Sequence, residues 1–261
     1  MPPLIAVSRA LILAAGRGER MRPLTDHTPK PLLPVRGQPL MQWTLAALLR
    51  GGVREVVVNT AWLGARIEDY FSAQRLSGLR RELQVEQPVE VRFSREGADF
   101  GHALETAGGI ARALPLLARD ADDVFWVVAG DVFMPGFAFS RADADRFAAS
   151  GLLAHLWLVP NPPQHPAGDF GLSVDGMALN NASSSGQRHT FSACALYRRA
   201  LFEPPWCDIA PGNPHGVAAA LAPLLRRAAD AGLVSAQLYT GAWTDVGTPE
   251  RLAQLNDRSR V

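Results

Sequence analysis

Chemistry in this chain gathers first around Lys30. Lys30 is the only lysine among 26 basic residues, so the other 25 (26 − 1) are arginine. A lysine carries a compact point charge on a flexible stem, whereas arginine is a planar fork, so the two are not interchangeable at a reacting phosphate. Upstream runs Leu11-Ile12-Leu13-Ala14-Ala15-Gly16-Arg17-Gly18-Glu19-Arg20-Met21-Arg22-Pro23-Leu24-Thr25, and Asp26-His27-Thr28-Pro29-Lys30-Pro31-Leu32-Leu33-Pro34 completes the stretch. An apolar strand empties into a loop with two glycines and three arginines, followed by a lysine framed by prolines. Close backbone approach, exposed N–H groups and fixed cations are what a phosphate-binding site needs. Ala14, Ala15, Gly16, Arg17, Gly18 and Lys30 are therefore the candidate phosphate-side residues.

A carboxylate stands at a second strand end. Asp123 to Ala129 is very apolar and is followed by Gly130-Asp131. In an open α/β sheet, ligands bind beyond the carboxyl ends of the strands. There Asp131 suits Mg²⁺, which takes one or two carboxylates alongside substrate phosphates; the plainer reading is a turn or cap aspartate. Leu104-Glu105-Thr106-Ala107-Gly108-Gly109-Ile110 is a third feature. Its small residues admit a flat base against the backbone, or Thr106 merely caps a helix with loose glycines behind it.

Other chemistries are disfavoured. Gly16-Arg17-Gly18 opens a G-x-G-x-x-G pattern, but Met21 stands where the third glycine belongs, and no Gly-Lys-Ser/Thr follows. The six histidines form no H-x-x-x-H pair, and G-x-S-x-G does not occur. Cys194 and Cys207 lack metal-ligand spacing and read as idle thiols of a reducing compartment. The net charge of +1 provides no global field toward nucleic acid or membrane. No apolar run of about 18 residues and no leader-type N-terminus occur, so a cytoplasmic protein is expected. Oligomeric state is unread.

These residues need a scaffold, and the pattern supplies one. Ala10 to Ala14 is a near-continuous apolar strand; Leu40 to Arg50 carries an i, i+4, i+8 apolar stripe closed by Gly51-Gly52. Strands are expected at Val53–Thr60, Val89–Ser94, Asp123–Ala129 and Leu152–Val159, with helices at Gly64–Ala73, Glu105–Leu117 and Phe139–Ser150. Such alternation predicts an α/β, Rossmann-like, doubly wound and mostly parallel sheet with right-handed crossovers. Beyond Pro160 come a hairpin turning at Asp175-Gly176, a polar connector at 180–187, a strand at Thr190–Tyr197 and a long helix at Val217–Ala231. Short strands at Val234–Tyr239 and Ala242–Val246 and a helix at Thr248–Asn256 close the chain. We expect a single domain, 1–261, whose nucleotide-binding part (about 1–159 and 233–261) carries a small substrate lobe (about 160–232).

The stretch Leu11–Pro34 resembles the signature of the sugar nucleotidyltransferases, which couple a nucleoside triphosphate to a sugar 1-phosphate. That resemblance implies a nucleotide-diphospho-sugar transferase fold. It also implies that Arg20 steadies the triphosphate, that Lys30 faces the reacting phosphates, and that Arg20, Lys30 and Asp131 form the catalytic set. Trp243-Thr244-Asp245-Val246-Gly247-Thr248-Pro249 resembles the family's second metal motif, pairing Asp245 with Asp131 around Mg²⁺. The turn at 104–110 resembles the family's nucleobase turn, which makes Glu105, Gly108 and Gly109 uracil-side candidates. Asn59-Thr60-Ala61-Trp62, Gly168-Asp169-Phe170 and Thr190-Phe191-Ser192 are similar to the branch acting with UTP on N-acetylmuramate 1-phosphate in cell-wall recycling. Asn59, Trp62, Asp169 and Ser192 thereby become substrate-side candidates.

The chain departs from that branch at Ala107, at Ala129 and in a longer segment at 97–102. Glucose 1-phosphate, mannose 1-phosphate or phosphocholine are rival acceptors, and a non-catalytic nucleotide sensor is the rival from another class. A lactyl carboxylate on the acceptor calls for a cation, and Arg188 is available in the connector.

Overall fold

The computed structural model describes residues 7–119, 123–180 and 187–257; most of the predicted connector at 180–187 lies outside them. Its centre is β1 (Arg9–Leu13), flanked by β4 (Glu55–Thr60) and β6 (Val124–Ala129), both parallel to it. Side chains alternate across a strand, and the stretches 10–13, 56–58 and 124–129 are apolar without a break because both faces are covered. Leu11, Val57, Phe125 and Val127 enter one core, under α5 (Glu105–Leu117) and α7 (Ala222–Asp230). Ala10, Ile12, Val56, Val58 and Trp126 enter the other, under α1 (Leu40–Arg50), α2 (Gly64–Tyr70), α3 (Ala73–Glu82) and α6 (Arg141–Ser150).

The sheet has nine strands. On one side β4 continues to β5 (Glu90–Arg95), again in parallel. On the other, β6 meets β11 (Arg188–Arg198) running antiparallel, and β11 bridges to β8 (Ala154–Val159), which pairs in parallel with β12 (Val234–Leu238). The predicted hairpin is β9 (Phe170–Leu172) with β10 (Ala178–Leu179), joined to the start of β11. Only β10 and β11 oppose the common direction, so the mostly parallel α/β sheet expected from the sequence is present.

Two elements differ from expectation. The helix expected at 217–231 begins only at Ala222, because the preceding backbone serves α5 instead: Ala219 accepts hydrogen bonds from Ala107 (2.8 Å) and Gly108 (3.2 Å) and donates to Leu104 (3.0 Å). The segment 73–82 forms a helix, α3, that the apolar pattern did not reveal, since it buries only Leu79.

A third, small core explains how distant segments converge. Met21, Leu33, Val35, Leu40, Phe133, Val246 and Leu252 cluster together. They tie the arginine-rich loop to the short ribbon β7 (Val132–Phe133) with β13 (Thr244–Asp245) and to α8 (Pro249–Asn256). The loop and both aspartate motifs are thus anchored by one apolar knot.

Candidate active site

A cavity of about 760 Å³ opens beyond the carboxyl ends of β1, β4 and β6, within the range of small-molecule sites. Its walls include Ala14, Ala15, Gly16, Gly18, Arg20, Lys30, Asn59, Glu105, Asp131 and Asp169. Residues from six separate stretches of sequence therefore meet in one place.

The loop is built to stay in shape. Gly18 adopts φ +70°, and a Cβ there would sit 3.1 Å from the Thr25 methyl and 3.3 Å from the Lys30 Cβ, so glycine is required. The Thr25 hydroxyl donates to Gly18 O (2.9 Å), and Trp62 Nε1 donates to Thr25 O (2.8 Å). Arg17 stacks on Trp62 at 4.1 Å from the ring centroid. Gly16 is different: nothing lies within 4 Å of its missing side chain, which leaves its backbone open to a ligand.

Lys30 is only 8% exposed, and its Nζ donates to Asp131 Oδ2 at 2.5 Å. The turn before Asp131 is tight, with Gly130 N–H on Leu13 O (2.8 Å). Val246 N–H donates to Asp131 O (3.0 Å), and Asp245 pairs with Val132 across the ribbon. The two aspartates thus leave adjacent backbone segments. Asp245 Oδ2 accepts from Arg251 Nη1 at 2.7 Å, so each carboxylate is balanced by its own cation. Asp131 lines the cavity with Lys30 and Arg20, and Asp245 on the adjacent strand is a second hard oxygen donor, the number and kind of carboxylates that Mg²⁺ takes alongside phosphates. Among the described residues no group of three or more His, Cys, Asp or Glu forms a fuller metal cage.

At the end of β4, Asn59 is a two-way brace. Its Oδ1 accepts from Ala14 N–H (2.6 Å) and its Nδ2 donates to Glu96 Oε1 (2.7 Å). Glu96 is fully buried and also accepts from Leu104 N–H at 2.8 Å. Burial pushes the Glu96 carboxyl above the usual range, with the two N–H donors pulling the other way. Nothing in its sequence neighbourhood, Arg95-Glu96-Gly97, marks Glu96 as a buried acid joining two walls of the cavity. Glu105 heads α5 with φ +56°, an uncommon conformation for a side-chain-bearing residue, and faces the cavity.

Several expected positions lie elsewhere. Gly108 and Gly109 are buried in α5 away from the cavity wall, which corrects their assignment to the base. A Cβ on Gly108 would fall 2.4 Å from Val217 O, and one on Gly109 would fall 2.7 Å from Glu96 Oε1, so these glycines admit protein, not ligand. Ser192 is fully buried, its Oγ accepting from Cys194 N–H (3.2 Å), while its neighbours Phe191 and Ala193 line the cavity. Trp62 and Arg17 brace the loop from outside that lining, and Asp245 is represented there by Gly247. Arg188 is committed to the carbonyls of Asn180 (2.8 Å) and Asp169, which removes it as a free cation. Asp169 lines the cavity with its carboxylate held by Phe191 N–H (2.8 Å) and His165 Nε2 (3.1 Å).

Fold and site together define an α/β protein whose glycine-bearing loop, Lys30 and Asp131 line one pocket. Residues 9–176 match the nucleotidyl transferase family. An N-acetylmuramate alpha-1-phosphate uridylyltransferase of Neisseria meningitidis is 44% identical over 94% of this chain and 96% of its own. One from Caulobacter vibrioides is 28% identical over 97% and 96%. A UDP-glucose pyrophosphorylase solved with UDP-glucose superposes with a TM-score of 0.72 over 97% of this chain and 98% of that one, at 16% identity, which shows the shared fold. The chain belongs to the nucleotidyl transferase family and is a sugar nucleotidyltransferase.

Proposed function

We propose that the enzyme transfers UMP from UTP to N-acetylmuramate 1-phosphate, releasing pyrophosphate, in cytoplasmic recycling of cell-wall sugar. A phosphate oxygen of the sugar 1-phosphate attacks the α-phosphorus in line, and the bond to the pyrophosphate oxygen breaks. The acceptor phosphate is itself the nucleophile, so catalysis rests on positioning and charge stabilisation. The observation that carries the reading is the buried Lys30 on Asp131 in the cavity, a cation on a stretch that an apolar knot anchors. Lys30 turns from Asp131 toward the α-phosphate, Arg20 and the open backbone at Gly16 hold the β- and γ-phosphates, and Asn59 keeps Ala14 in register through its hydrogen bond. Asp131 and Asp245 would hold Mg²⁺, which when bound neutralises phosphate charge and leaves Lys30 and Arg251 to their other partners. Residues 1–159 and 233–261 form the nucleotide part and 160–232 the acceptor part, with Asp169 on the acceptor wall.

A panel of sugar 1-phosphates against UTP, CTP, dTTP and GTP, read by pyrophosphate release with Mg²⁺, tests this. N-acetylmuramate 1-phosphate with UTP should be the preferred pair, and Lys30→Ala should lose at least about 100-fold in kcat while folding normally. Release of pyrophosphate from no pair would point to a nucleotide sensor. Preference for glucose 1-phosphate, mannose 1-phosphate or phosphocholine would keep the chemistry and reject the acceptor.

A further inference from the structure

Three cations line the cavity: Lys30, Arg20 and Arg226. The first two belong to the loop side. Arg226 comes from α7, on the opposite wall beside Leu221, Ala222 and Leu225, and α7 packs against the β9–β10 hairpin region through β10. Arg226 is exposed, and among the described residues it makes no ion pair or hydrogen bond. Its neighbour Arg227 donates to Trp206 O, so of these two adjacent arginines only Arg226 keeps a free guanidinium. An unpaired arginine facing a pocket is a fork awaiting a planar anion, since carboxylates take it in bidentate fashion.

The surroundings say which end of the substrate it meets. The wall around it is apolar, with Phe170, Phe191, Leu221 and Leu225, and lacks the glycine-bearing backbone that would cradle a triphosphate. Tyr197 also lines the cavity, and its hydroxyl is buried without a hydrogen-bond partner among the described residues. Burial pushes this phenol well above its ordinary value, so it remains a donor. Asp169, the carboxylate on this side, is already held by Phe191 N–H and His165. An acceptor that pairs an apolar substituent with a carboxylate meets complementary groups here.

We infer that Arg226 binds the carboxylate of an acidic sugar 1-phosphate and selects it over the neutral sugar. This rests on the acceptor side of the proposed function. The test uses the complete enzyme with two acceptors: N-acetylmuramate 1-phosphate, and N-acetylglucosamine 1-phosphate, which lacks the lactyl ether. Arg226→Ala should raise KM for the first about 10- to 100-fold, as expected for a lost charge-assisted pair. KM for UTP and kcat/KM for the second sugar should stay within about twofold. Arg226→Lys, which keeps charge without the fork, should restore part of the loss.

Equal losses with both sugars, a raised KM for UTP, or no change at all would each overturn the assignment. Wild-type enzyme preferring the neutral sugar would refute both the acceptor reading and the role of Arg226. That result is visible before any variant is made, so the two failures are distinguishable. An unchanged thermal transition in Arg226→Ala, expected for an exposed side chain, shows that the variant is folded.

Discussion

Asn59→Asp tests the polar brace that joins the loop to α5. The substitution keeps size and shape, and one new carboxylate oxygen still accepts from Ala14 N–H. The other replaces an N–H donor with an acceptor 2.7 Å from Glu96 Oε1. Two full charges about 3 Å apart repel by roughly 5–6 kcal/mol at an effective dielectric constant of 20. Holding a proton that the unfolded chain releases near pH 4 costs about 1.4 kcal/mol per pH unit, roughly 5.5 kcal/mol at pH 8. The pair therefore keeps one proton across pH 5–8. A raised carboxyl pKa in the folded state stabilises below the unfolded value and loses that stability as pH rises. The variant should thus lose about 4 kcal/mol between pH 5 and pH 8. Wild-type Glu96, also shifted up, shares this sign but levels off earlier, since Asn59 and Leu104 donate to it. Urea unfolding followed by tryptophan fluorescence at half-unit pH steps gives both curves. A pH-independent difference between variant and wild type would refute the Asn59–Glu96 contact and the account of Glu96 built on it.

Two further predictions follow from packing alone. Gly108→Ala places a methyl 2.4 Å from Val217 O and should destabilise by at least about 2 kcal/mol, whereas Gly16→Ala, with open space around it, should change stability by less than about 0.5 kcal/mol while raising KM for the nucleotide. Comparable stability losses in chemical denaturation would show that α5 is not seated on residues 217–219. Met21→Ala removes a fully buried member of the apolar knot and should cost about 2–4 kcal/mol, and even below its melting transition it should weaken nucleotide binding in calorimetry, because Lys30 and the loop lose their common anchor. A stability loss with unaltered nucleotide affinity would separate the knot from the site.

What the sequence revealed follows from what is local. That Ala14, Ala15, Gly16, Gly18, Lys30 and Asp131 meet at one cavity was legible because a site built on strand ends draws its parts from contiguous residues with unusual types. The helix Leu40–Arg50 and the α5 span were legible for a similar reason: a helix face repeats within a few residues. Arg226 and Glu96 were not, and within Thr190-Phe191-Ser192 the motif pointed to Ser192 rather than to Phe191, which lines the cavity. All three reach the cavity through a crossing of elements far apart in sequence: α7 against the hairpin, the antiparallel β11 within a parallel sheet, and a short helix beneath α5. The glycines 108 and 109 show the reverse error. Small residues near a candidate base looked like room for a ligand, yet the space was taken by Val217 and Glu96. A missing side chain says that something approaches closely; only the fold says what. On the proposed function, the same logic explains why the nucleotide side of the cavity is written in a motif while the acceptor side is not. Triphosphate recognition uses backbone and point charges that must be adjacent, whereas a sugar is grasped by side chains converging from separate elements.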